Sequence, residues 1–129
     1  MESPHNREQR QPYGSNRGNT AEDLGRFVEG GGAQNMGCCL DIGGMAVVGD
    51  SIDDCYRALP NRVKHVHFSD RNHEIPGDQD LPLGNYISQL NAKGYDGYLT
   101  LEVNDGIYAM DPHSAFMRSA DYMRKLLGQ

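Results

Sequence analysis

The sequence contains no tryptophan and only three cysteines among its 129 residues. Cys38, Cys39 and Cys55 are odd in number and two of them are adjacent, which does not suit a disulfide framework, so they are expected as reduced thiols. C-x-x-C spacing is missing as well, and neighbouring residues of a strand point to opposite faces. No cysteine-based zinc site is therefore expected, and the three read as small buried hydrophobes. No window approaches the roughly 20 consecutive apolar residues of a membrane span, and the N-terminal MESPHNREQRQPYG holds no apolar core of a signal peptide. A cytoplasmic protein with no membrane partner is the expectation. Positive charge is scarce: 12 Lys+Arg against 18 Asp+Glu give a net charge of −6, and a net anion is repelled by phosphate backbones, which disfavours nucleic acid as a partner. Hydrophobic residues make up 37% of the chain, lean for a self-sufficient core, and the length suits one domain or a piece of one.

What is present is an alternation. Residues 3–19 (SPHNREQRQPYGSNRGN) carry no large aliphatic side chain and read as a long loop or a disordered arm. From Thr20, a capping residue, Leu24, Phe27 and Val28 make an apolar stripe at helical spacing that stops at Gly30-Gly31-Gly32. Residues 36–42 (MGCCLDI) form a nearly continuous apolar run, the pattern of a strand buried on both faces. After Gly43-Gly44 and a turn at Gly49-Asp50, Ser51 opens a helix with Ile52, Cys55, Tyr56 and Leu59 on one face and Pro60 as its stop. Residues 63–68 (VKHVHF) alternate with period two and predict a strand, followed by a polar stretch over residues 69–80. A helix is predicted over residues 83–93, with Leu83, Ile87 and Leu90 on one face, and a third strand over residues 98–103 (YLTLEV). Residues 112–127 begin with proline and place Phe116, Ala120, Met123 and Leu127 on one face of a last helix.

Strands and helices alternating at this spacing predict an α/β protein of parallel βα units joined by right-handed crossovers. In such barrels chemistry sits at the C-terminal ends of strands, and here each strand ends on ionisable groups: Asp41, then His67 with Asp70, then Glu102. One imidazole and two or three carboxylates at one rim form a mixed nitrogen and oxygen donor set that suits one divalent ion such as Mn²⁺, Zn²⁺, Co²⁺ or Mg²⁺. Taken singly, a strand-end Asp or Glu more often caps the next helix; their recurrence is what points to a metal. His65 shares a strand face with His67. His65, Asp70 and Arg71 are the candidate substrate-binding residues, whereas His5, His73 and His113 read as solvated loop or helix-start residues. The glycine run at 30–32 follows a helix and precedes a strand, the reverse of a phosphate-binding loop. No serine lies in G-x-S-x-G, so a nucleophile elbow is absent.

The segments GCCLDIGGM, VKHVHFSDRN, IPGDQDLPL and GYDGYLTLEV together resemble the second half of the sugar phosphate isomerase/epimerase family, the xylose isomerase-like TIM barrels. The resemblance runs from about residue 20 to the end. It implies a Glu, an Asp, a His and a Glu from the fifth to eighth strands around one divalent metal, matching Glu2, Asp41, His67 and Glu102 here, with Met1-Glu2 as the remnant of the fifth strand. It further implies proton transfer next to a carbonyl of a sugar or sugar phosphate, with Glu2 and Glu102 as acid and base on opposite faces. One departure is Gly44, where the family commonly has a substrate-contacting histidine. Another is length: a complete barrel takes about 250 residues, so the whole of residues 1–129 is expected to form a single partial barrel, either a fragment of a longer protein or a half that aggregates or pairs in a homo-oligomer or with a complementing half-barrel. Two alternatives differ in class. One is a non-catalytic half-barrel remnant or assembly module. The other is an apurinic endonuclease-like zinc phosphodiesterase, suggested by Asp70-Arg71-Asn72-His73 and opposed by the negative charge.

Overall fold

The computed structural model describes residues 20–32 and 34–129. The arm expected at residues 3–19, and Glu2, lie outside the described residues. Three parallel strands, β1 (Cys38–Asp41), β2 (Val63–Phe68) and β3 (Leu99–Leu101), form a sheet in the order β1-β2-β3. Between and around them run α1 (Ala21–Gly30), α2 (Ile42–Val48), α3 (Ile52–Ala58), α4 (Leu83–Ala92), α5 (Asp105–Tyr108) and α6 (Pro112–Leu126), with a short 3₁₀ turn at Arg71–His73. Each strand passes through helical structure to a parallel neighbour, as βα units require. Among the described residues no helix is long and apolar enough to cross a membrane.

Strand alternation divides the sheet into two unlike faces. Leu40, Val66 and Phe68 point into a core shared with Ile42, Met45, Ile52, Leu59, Leu83, Leu90 and Met123. Cys39, Asp41, His65 and His67 occupy the other face, aligned by a register that pairs Cys39 with His65 and Asp41 with His67. The expectation that β1 is buried on both faces is thereby corrected: Leu40 is buried, but Cys39 is exposed. Core is built on the helical side alone, so an apolar run here did not mean burial on both sides.

Local chemistry explains most boundaries. Thr20 caps α1 by accepting from the Asp23 N–H, and Ser51 and Asp54 form a reciprocal capping box at α3. Gly49, in the left-handed region at φ 79°, ends α2. Two helical faces differ from expectation. α1 buries Ala21, Gly25 and Val28 while Phe27 is 67% exposed, because a Cβ at Gly25 would lie only 2.6 Å from the Ala58 carbonyl oxygen of α3. The glycine lets the two helices meet backbone to backbone, and that contact sets the rotation of α1. α6 buries Ala115, Ser119 and Met123, leaving Phe116 and Leu127 exposed. The sequence did not reveal α2, whose IGGMAVV has no polar residue against which an apolar stripe could stand out, or α5, which has only four residues.

Candidate metal centre

The ends of the three strands meet at one rim. Asp41, the last residue of β1, is also the cap of α2: its Oδ1 accepts from the Gly44 N–H at 2.9 Å. Its Oδ2 lies 2.8 Å from Nε2 of His73. The bland expectation for a strand-end Asp therefore holds for one oxygen and not for the other. Gly43 permits this turn, since a Cβ there would stand 2.8 Å from Ser69 Oγ and 3.2 Å from the Asp70 carbonyl oxygen. His67 on β2 places Nδ1 2.6 Å from Oε2 of Glu102, one residue past β3. The Glu102 N–H donates to the Phe68 carbonyl, continuing the β2–β3 pairing to the rim.

The ligand atoms of Asp41, His73 and Glu102 lie within 4.8 Å of one another. His73 was expected as a solvated loop residue, and the structure corrects this. Asn72 and His73 sit in the left-handed region, at φ 58° and 56°, which folds the 3₁₀ turn back over the end of β1. The His73 carbonyl then accepts from Asn104 N–H at 2.7 Å, tying this turn to the segment after β3. Its imidazole pKa is raised, first by the hydrogen bond to Asp41 and further by the charges of Asp41 and Glu102, against burial, which lowers it. No spacing rule in the sequence marks His73; its signals were its position after a strand end and its place in Asp70-Arg71-Asn72-His73.

The remaining candidates fall in different places. Asp70 is completely buried. Its Oδ1 accepts from the N–H groups of Arg71 and Leu81, and its Oδ2 from those of Gly77 and Gln79. The expectation of a substrate contact gives way here to a structural one, because four backbone donors of the 70–81 loop converge on this carboxylate. Arg71 is partly exposed and its Nε donates to Asp80 at 2.9 Å, which holds the Asp80 carboxyl below its ordinary range. His65 sits two residues back from the rim, its Nε2 2.8 Å from Thr100 Oγ1. Glu2 lies outside the described residues.

Asp41, His73 and Glu102, whose ligand atoms meet at the rim, offer the mixed nitrogen and oxygen donors of Mn²⁺, Zn²⁺ or Co²⁺ sites, and His67 adjoins them through its hydrogen bond to Glu102. The same two carboxylates whose charges raise the His73 pKa would attract a divalent ion to the rim.

A family model described as xylose isomerase-like TIM barrel matches residues 4–126. The chain is 25% identical over 121 residues to fructoselysine 3-epimerase of Escherichia coli O157:H7, covering 90% of this chain and 44% of that protein. It is 27% identical over 84 residues to D-psicose 3-epimerase of Enterocloster bolteae, covering 65% of this chain and 28% of that protein. It is also 25% identical over 111 residues to inosose dehydratase of Mesomycoplasma hyopneumoniae, covering 68% and 37%. The chain thus spans less than half the length of these curated relatives. Among solved structures, 3-keto-D-glucoside 4-epimerase from E. coli superposes with a TM-score of 0.70 at 23% identity, over 86% of this chain and 41% of that one. That likeness is one of fold.

Proposed function

The chain belongs to the xylose isomerase-like TIM barrel family, and from that premise we propose that it takes part in metal-dependent isomerisation or epimerisation of a small sugar or sugar phosphate. The observation that carries this reading is the meeting of Asp41, His67, His73 and Glu102 from three successive strand ends at one rim. The names of the relatives, two of them sugar 3-epimerases, support the substrate class.

Asp41, His67, His73 and Glu102 would hold the ion, with Glu2 completing the set. When bound, the ion supplies Lewis acidity that polarises a substrate carbonyl and stabilises the charge of an enediolate. The protein's own part is proton handling. Glu102 is held by the imidazole of His67, which orients its carboxylate toward the open face of the sheet, where it serves as the base for a proton on a carbon next to a carbonyl. Glu2 is the acid acting from the opposite face of the sugar. Arg71 and His65 bind hydroxyl or phosphate groups of the sugar. The chain spans less than half the length of these relatives, so the proposed activity needs barrel walls that these residues do not supply.

Metal content by mass spectrometry on the size-exclusion-purified chain, followed by sugar and sugar-phosphate epimerisation assays, tests this. About one divalent ion per chain is expected, lost in Glu102→Gln and His67→Ala, with activity appearing only where ion and oligomer coincide. A metal-free oligomer with no activity on any sugar would instead support a structural half-barrel.

A further inference from the structure

Two residues back from the rim, the open face of the sheet carries a second set of donors. Cys39 pairs with His65 in the β1–β2 register, and His67 lies on the same face two residues on. The ligand atoms of Cys39, His65 and His67 lie within 4.8 Å of one another. The two imidazoles meet edge to face with centroids 5.4 Å apart and planes at 87°. Two imidazoles on one tetrahedral zinc, with Zn–N of about 2.0–2.1 Å, have ring centres roughly 5 Å apart, so the observed spacing needs little adjustment.

Each ring also has one nitrogen already engaged: His65 Nε2 lies 2.8 Å from Thr100 Oγ1, and His67 Nδ1 lies 2.6 Å from Glu102 Oε2. Metal-binding histidines characteristically have their other nitrogen held by a polar partner, which fixes the ring and raises the basicity of the ligating atom. Cys39 is exposed, so an ion in solution can reach its sulfur and displace the thiol proton. A thiolate with two imidazoles is a softer set than the carboxylates of the rim and leaves a fourth position open.

We propose that Cys39, His65 and His67 form a second metal site, one layer inside the rim, selective for a thiophilic divalent cation such as zinc. His67 belongs to both layers, so an ion in the inner site draws it away from an ion at the rim. The inner site does not depend on the sugar chemistry proposed above and survives its failure.

The test is a Co²⁺ titration of the reduced, tag-free full chain, read by near-ultraviolet thiolate-to-cobalt charge-transfer absorption. The parent is expected to show the band, with Zn²⁺ displacing Co²⁺. Cys39→Ser abolishes it, Cys38→Ser and Asp41→Asn retain it, and far-ultraviolet circular dichroism confirms that each variant is folded. Thr100→Val, which loosens the His65 ring without touching a ligand, weakens binding by about 10–100-fold while keeping the band. A parent without the band, or a band that survives Cys39→Ser, overturns the proposal. Cobalt bound without the band and lost in Asp41→Asn also overturns it, while leaving the rim reading standing.

Discussion

Asp70 offers the sharpest test of how the rim is built. Its buried carboxylate accepts four backbone N–H bonds, from Arg71, Gly77, Gln79 and Leu81. The charge is compensated chiefly by these donors, which have no other acceptor of comparable strength. Asp70→Asn keeps one acceptor oxygen and puts an NH₂ in place of the other. If the carbonyl keeps the Oδ1 place, and with it the buried Leu81 bond, the Gly77 and Gln79 N–H groups face a donor instead of an acceptor. At about 1 kcal/mol for each partly solvated N–H left unpaired, the low end of the usual range, the cost is about 2 kcal/mol. Asp70→Ala strands all four donors and costs about 3–4 kcal/mol, part of the loss being offset because no charge is then buried. For a domain of this size each kcal/mol lowers Tm by about 3–5 °C, so Asn lowers it by about 6–10 °C and Ala by more. Thermal unfolding measures the total, and amide hydrogen exchange at Gly77, Gln79 and Leu81 localises it. A Tm within about 2 °C of the parent for both variants, with unchanged exchange, would show that the loop does not hang on this carboxylate.

Gly25→Ala, which in an exposed helix interior stabilises by up to about 1 kcal/mol, is expected to destabilise by about 1–3 kcal/mol, because its Cβ would meet the Ala58 carbonyl oxygen at 2.6 Å. Urea unfolding checks the sign, and a stabilised variant refutes the backbone contact between α1 and α3. In the metal-free protein His73 titrates above the ordinary histidine value, chiefly through its hydrogen bond to Asp41. A raised folded-state pKa gives stabilisation that is complete below about pH 6.5 and is lost as pH rises through the raised value. Chelator-treated protein is therefore expected to lose stability above pH 6.5, with a smaller loss in Asp41→Asn. An NMR titration placing His73 at or below the ordinary value refutes this.

The alternation of strands and helices was legible in the sequence because period two and period 3.6 are properties of residues close in the chain. β2 spans the predicted residues 63–68, and Thr20 and Ser51 cap the helices they were expected to cap. Asp41, His67 and Glu102 could be named as strand-end groups for the same reason. Tertiary structure alone decided which of these polar groups meet. His73 reaches Asp41, 32 positions away in the chain, because two left-handed residues fold the turn back. Asp70 looked as chemical as its neighbours and is consumed by the N–H groups of its own loop. Cys39 read as a core residue in an apolar run, but the strand register sets it beside His65 on the face that carries no core. Local pattern states which way a side chain points; register, helix contact and loop closure, which act between residues distant in the chain, determine what it finds there.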